Sequence, residues 1–214
     1  MTSKKVYFVG KTHGYLRMFE TYGWLITEDI KESDLVQFTG GADVTPILYN
    51  QHQHSKTHCD SVRDKREVFF FLLALKYKKP MAGICRGGQF LNVMCGGAMW
   101  QHVLNHTFDH EVTDYLTGKT FKASSTHHQM MIPSKDKKDY TILMTAENIT
   151  ISKEKCAQIE QENKPIIAYG HKQDLEALYY SENKCLCFQP HPEFEKVDYA
   201  ELTKTYFQYL DTVY

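Results

Sequence analysis

The chain has 214 residues, 42% of them hydrophobic and 24% charged, with a formal net charge of −1. Such a length suits one domain with a substantial core, residues 1–214, because a chain of this size buries roughly 70% of the surface its unfolded form exposes. The near-zero charge supplies no global field to draw in nucleic acid or an anionic membrane, and no local basic patch stands out, so neither is expected as a partner.

The opening MTSKKVYFVGK carries an apolar run too short for a signal-peptide core. No later segment approaches the roughly 18 apolar residues of a membrane span, and a soluble, cytoplasmic protein is expected. In that compartment the six cysteines read as thiols. KKVYFVG predicts a first buried strand, YLRMFETYGW a helix, and SDLVQFTGG a short strand that stops at paired glycines. RDKREVFFFLLALKYKKP predicts a helix with a basic last turn that stops at Pro80. MAGIC reads as a strand, and RGGQFLNVMCGG as a helix that ends at Gly96 and Gly97. FKASSTHHQMMIP and YTILMTAE read as antiparallel strands, KPIIAYG, LEALYY and NKCLCFQPHPEF as a closing set, and VDYAELTKTYFQYL as a final amphipathic helix. Strand and helix alternating with short breaks predict an α/β fold: an open, mostly parallel central sheet with helices on both faces.

Cys85 stands between glycines where a strand becomes a helix. A sharp strand-to-helix turn that presents a nucleophile needs small residues two positions to either side, so that the two elements can cross closely. Gly83 and Gly87 supply them. The start of the following helix places partial positive charge beside the sulfur and favours the thiolate. Glycine-flanked cysteines also occur in buried turns that do no chemistry. FQPHPEF adds the other half of a nucleophilic pair. If the strand continues through it in extended form, His191 and Glu193 point the same way, and the carboxylate can fix the tautomer of a histidine base. A lone His-Pro-Glu also occurs as a surface turn, and it is the combination with Cys85 that carries weight. In FTGGADV a strand ends at Gly40 and Gly41, whose amides can approach a ligand without side-chain obstruction. With the backbone N–H of Arg86 they offer donors for an oxyanion.

TGGADVTPILY, RDKREVFFFLLAL, GICRGGQFLNVMCGG, STHHQMM and FQPHPE, in this order over residues 39–193, make the chain resemble the class I glutamine amidotransferase-like superfamily. Within it the resemblance is to the γ-glutamyl hydrolase branch (peptidase C26), typified by γ-glutamyl-γ-aminobutyrate hydrolase. The resemblance implies the flavodoxin-like fold of that superfamily, a catalytic triad of Cys85, His191 and Glu193, and an oxyanion hole at Gly41 and Arg86. It also implies a γ-glutamyl pocket at Gly40, Gln89, His127, His128 and Gln129, and it leaves Asp43 to hold its loop. The chain departs from the family in having Thr39 where a proline usually precedes the two glycines, and in a short stretch between GGAMWQH and STHHQ.

His102, His106 and His110 recur every four residues and would share a helix face. Thr107 and Asp109 favour a loop instead, and no acid or cysteine stands at a convincing spacing, so neither a metal nor an organic cofactor is expected. The activity expected from the resemblance is cysteine-dependent hydrolysis of γ-glutamyl amides through a γ-glutamyl thioester, with a small-molecule substrate. Two alternatives stand beside it: a glutaminase subunit that supplies ammonia to a separate synthase or synthetase, and an inactive binding or regulatory module of the same fold.

Overall fold

The computed structural model describes residues 3–135, 140–147, 150–160, 165–168, 173–194 and 196–214. The strands and helices follow in the order β1 (Lys5–Val9), α1 (Tyr15–Thr21), β2 (Leu25–Ile26), β3 (Leu35–Phe38), α2 (Ser61–Lys76), β4 (Met81–Ile84) and α3 (Arg86–Met94). Then come β5 (Ala98–Trp100), β6 (His102–Val103), β7 (His110–Asp114), β8 (Thr120–Ala123), β9 (Met130–Ile132) and β10 (Tyr140–Glu147). The chain closes with β11 (Lys153–Cys156), β12 (Pro165–Ala168), β13 (Gln173–Tyr180), β14 (Cys185–Phe188) and α4 (Ala200–Val213).

Nine strands form one sheet in the order β2-β1-β3-β4-β14-β13-β10-β7-β8. The first five run parallel, and the remaining four extend the sheet antiparallel. Every residue of β3, β4 and β14 is buried, as expected of central strands covered on both faces. On one face α1 and α4 pack Phe19, Leu202, Tyr206 and Leu210 against Ile84 and Phe188. On the other, α2 and α3 pack Phe71, Ala74, Phe90 and Leu91 against Val36, Phe38 and Met81. The open α/β sheet with helices on both faces is therefore the fold that the strand and helix pattern predicts.

Local chemistry sets the element ends. Asp60 caps α2, its carboxylate accepting from the amides of Val62 and Arg63 at 3.1 and 3.0 Å, a contribution of about 1 kcal/mol. The first helix stops at Thr21, two residues before Gly23 at φ 79°, so YGW is not helical. FKASSTHHQMMIP is divided between β8, which pairs with β7, and β9, which pairs with β5 in a separate two-stranded sheet. Residues 124–129 between them form a loop whose side chains bond to loops and carbonyls. KPIIAYG contributes β12 to a three-stranded sheet with β11 and β6, while Lys164, Tyr169 and Gly170 fall outside the described residues. His102, His106 and His110 lie on β6, a loop and β7, so they share no helix face. All six cysteines are free thiols. Among the described residues no helix is long and apolar enough to cross a membrane.

Candidate active site

The site assembles at the C-terminal ends of β3, β4 and β14, where loops leave the parallel part of the sheet. Cys85 follows β4 directly and adopts φ 52°, ψ −115°, a strained conformation for a residue with a side chain. Three glycines make that turn sterically feasible. A Cβ at Gly83 would collide with the backbone of Gly87, one at Gly87 with the Phe38 carbonyl, and one at Gly88 with the Phe188 amide at 2.8 Å. The Cys85 amide donates to the Phe188 carbonyl at 2.7 Å, which fixes the turn against the neighbouring strand. Arg86 opens α3, so its N–H is a first-turn amide with no intrahelical acceptor.

His191 and Glu193 come together by a different route from the one their spacing suggests. The strand ends at Phe188, and residues 190–194 turn back on themselves. Within that turn His191 Nδ1 meets Glu193 Oε1 at 2.6 Å. The fold holds it in three places. The His191 amide donates to Ser124 Oγ at 2.8 Å, Thr203 Oγ1 on α4 donates to the Pro192 carbonyl at 2.7 Å, and Phe194 stacks on the imidazole with centroids 4.5 Å apart. Two prolines leave the segment few amides for a sheet ladder, which is why it turns rather than extends. Burial pulls the His191 pKa down, but the charge and hydrogen bond of Cys85, followed by those of Glu193, prevail and push it up to about 10.

The glycine loop after β3 is oriented from both sides. On one side, Arg63 of α2 donates to the carbonyls of Gly40 and Thr39 at 3.0 and 2.8 Å. Because a trans peptide points its C=O and N–H in opposite directions, the amides of Gly40 and Gly41 face away from Arg63. The Gly40 amide is met there by the Tyr15 hydroxyl at 3.0 Å. Burial first, and then the nearby Glu193 charge, raise the Tyr15 pKa, and the Oε2 of that buried carboxylate has no hydrogen-bond partner. Gly41, at φ 145°, leaves no room for a Cβ beside Arg63, and it lines the same cavity as Cys85. Gly40 abuts both reactive groups: a Cβ there would lie 3.3 Å from His191 Cε1 and 3.7 Å from Cys85 Cβ.

The charged Arg86 side chain does not enter the cavity. It is buried between Asp64 and Glu67 of α2, and Glu67 also accepts from Arg63 Nε at 2.6 Å. One buried ion network therefore ties the start of α3 to the clamp on the glycine loop. Removing one partner of such a network leaves an uncompensated charge, at about 3–5 kcal/mol.

A cavity of about 250 Å³ opens beside Cys85 and is bounded by Gly41, Asp43, His58, Gln89 and His128. Asp43 accepts from the His58 amide at 2.8 Å and pairs with His128 Nε2 at 3.1 Å. The other pocket residues are more deeply committed. Gln89 donates to Gln189 Oε1 at 3.1 Å, and Gln129 donates to Thr57 Oγ1 at 3.2 Å. The His127 ring is buried and faces Glu176, with Nε2 3.9 Å from its Oε2. Of the STHHQ residues that line the cavity, Thr126 is exposed and His128 half-buried, whereas His127 and Gln129 are buried. Tyr15, Arg63 and Ser124 escape sequence reasoning. Arg63 lies within RDKREVFFFLLAL, but nothing in that string indicates that its partners are backbone carbonyls more than 20 residues earlier.

The Peptidase C26 family profile matches residues 23–193. The glutamine amidotransferase-like protein YvdE of Lactococcus lactis is 32% identical over 174 residues, 78% of this chain and 70% of that protein. Among solved structures, a glutamine amidotransferase from Thermotoga maritima superposes with TM-score 0.61 at 14% identity, over 99% of this chain and 86% of its own. A GMP synthase subunit from Thermoplasma acidophilum superposes with TM-score 0.54 at 17% identity, over 99% of both chains. With the family profile spanning most of the sequence and the glutamine amidotransferase fold reproduced around Cys85, the chain belongs to the Peptidase C26 family.

Proposed function

We propose that the chain hydrolyses γ-glutamyl amide bonds, with Cys85 as nucleophile, His191 as general acid and base, and Glu193 as the group that orients His191. The observation that carries this reading is the meeting of three segments at one point: the strained Cys85 turn, the His191–Glu193 pair at 2.6 Å and the glycine loop, whose Gly40 abuts both and whose Gly41 lines the cavity beside Cys85. Sulfur attack on the γ-carbonyl places the oxyanion between the amides of Gly41 and Arg86. The raised pKa of His191 keeps a proton on the ring for the departing amine or ammonia. That leaves a γ-glutamyl thioester on Cys85. Water, deprotonated by the same imidazole, then releases glutamate and restores the thiol.

The cavity, at about 250 Å³, lies below the range of about 300–1,000 Å³ typical for drug-sized ligands and suits a small amino-acid head. Asp43 offers a carboxylate to an α-ammonium group, and His58 and His128 offer imidazoles to an α-carboxylate. Glutamate release by the purified chain from γ-glutamyl amides of small amines, compared with glutamine, tests the proposal. Turnover on the amides that disappears in Cys85→Ala supports it, and no release from any of these substrates overturns it. A second reading is favoured by the likeness to a GMP synthase subunit: a glutaminase that passes ammonia to a separate synthase. Glutamine hydrolysis that appears only after a synthetase is added would select that reading.

A further inference from the structure

We propose that His106, His110, His127 and Glu176 form a structural site for a divalent transition metal of the zinc type, one that does not include Cys85, although His127 also borders the Cys85 cavity, and that does not depend on the hydrolase reading. The four residues come from a loop, β7, the loop before β9, and β13. Around one carboxylate, His110 Nε2 lies 3.0 Å and His106 Nδ1 3.6 Å from Glu176 Oε1, and His127 Nε2 lies 3.9 Å from Oε2. The ligand atoms of His106, His110 and Glu176 all lie within 4.8 Å of one another. In a tetrahedral zinc site with bonds of about 2.0–2.1 Å, neighbouring ligand atoms stand about 3.3 Å apart. The three contacts bracket that value, and the two longer ones are beyond hydrogen-bond length.

The far side of each ring fixes its tautomer. His106 Nε2 faces Asp174 Oδ2 at 3.1 Å, His110 Nδ1 faces the Phe108 carbonyl at 3.1 Å, and His127 Nδ1 faces the Gln129 carbonyl at 2.8 Å. All three partners are acceptors only, the carboxylate of Asp174 being ionised opposite Lys153 Nζ at 2.5 Å, so each ring carries its proton on the outer nitrogen. A neutral ring then aims a lone pair at Glu176. Protons cannot satisfy the cluster, since Asp174 is already matched by Lys153 and Glu176 can balance one imidazolium. Two lone pairs would remain facing a carboxylate. Accordingly His106 Nδ1, His127 Nε2 and Glu176 Oε2 are buried without a hydrogen-bond partner. A cation at the centre of these atoms satisfies all of them. Outer-shell acceptors on every ligating histidine are what metal sites use to orient imidazoles, and three nitrogens with one carboxylate oxygen suit Zn²⁺. His106, His110 and Glu176 form the close group, and His127, 3.9 Å from Glu176 Oε2, is the fourth ligand that would close the site and make it structural. It would brace residues 124–129, through which Ser124 holds His191.

The test is equilibrium dialysis of the full chain against Zn²⁺ and Co²⁺, with metal content, the visible spectrum of the Co²⁺ form and the thermal midpoint as readouts. Wild type is expected to bind one ion per chain, to show the strong visible bands of tetrahedral Co²⁺, and to melt at a higher temperature with metal than after chelation. Cys85→Ala should retain all three properties, which excludes binding at the thiol. Glu176→Gln and His110→Ala, checked for folding by circular dichroism, should lose affinity by at least the about 10–100-fold that even an outer-shell loss costs. Absence of binding by folded wild type, or equal binding by folded Glu176→Gln and His110→Ala, overturns the proposal.

Discussion

Tyr15→Phe removes a single oxygen. That oxygen accepts from the Gly40 amide at 3.0 Å and lies close enough to Glu193 for the carboxylate charge to raise its pKa. The substitution keeps the ring against Phe8 and the core of α1, so no cavity beyond the hydroxyl is created. Stranding the Gly40 N–H leaves a donor without its acceptor, and a destabilisation of about 1–3 kcal/mol is expected. The rate should also fall. In the proposed mechanism the Gly41 oxyanion donor belongs to the same clamped loop as the Gly40 amide, and Glu193 orients the base His191, so both should lose alignment. The expected loss in kcat is about 10–100-fold, less than the 10²–10³-fold of deleting an oxyanion donor outright. Glutamate-release kinetics and thermal melting of the purified variant measure the two effects. A variant that melts earlier but turns over at the wild-type rate would refute the coupling of the glycine loop to the His191 pair through Tyr15.

Under the proposed mechanism Cys85→Ala should abolish turnover while the fold is kept, and it removes the charge and hydrogen bond that head the causes raising His191. The imidazole should then titrate well below about 10, and an unchanged histidine NMR titration would contradict the assigned contact. In the wild type, the His191 contribution to stability is complete below its ordinary pKa of 6.5 and fades as pH rises toward about 10. Denaturant midpoints that do not decline across that window in wild type, relative to His191→Ala, would refute the linkage. Glu193→Gln keeps the side-chain shape but favours the wrong imidazole tautomer, so kcat should fall steeply with little change in melting temperature; full activity would reduce the triad to a dyad. Gly87→Ala drives a methyl into the Phe38 carbonyl and should cost at least about 1–3 kcal/mol, read as an earlier denaturant midpoint.

Tyr15, through the Gly40 amide and its proximity to Glu193, brings the first helix to the glycine loop and the turn that holds His191. Arg63 and the buried Arg86 network perform the complementary task from the opposite face. The groups proposed to act on substrate are therefore held by α1, α2 and α4, none of which contributes a reacting atom.

Much of this molecule is legible in the string of residues because the physics involved is local. Short, largely apolar runs such as LVQF and MAGI predict strands, and both are buried throughout, whereas the helix ends at Thr21 and Asp60 were placed by the structure. Cys85 declares itself by glycines at fixed offsets, since the crossing of strand and helix is settled within five residues. What sequence could not decide is whatever depends on which distant segments meet. The His191–Glu193 contact was foreseeable, but its turn geometry comes from Ser124, Thr203 and Phe194. Arg63 reads as a helix-surface charge until the fold brings it to the carbonyls of Thr39 and Gly40. His106 and His110 argue against a metal while their neighbours in sequence are the only ligands in view. Glu176, which lies between them and His127, arrives from 66 residues beyond His110. Spacing along a chain encodes the geometry of a single helix or turn, whereas the separation of two side chains on different strands is set by sheet order, and that order is fixed by packing of the whole.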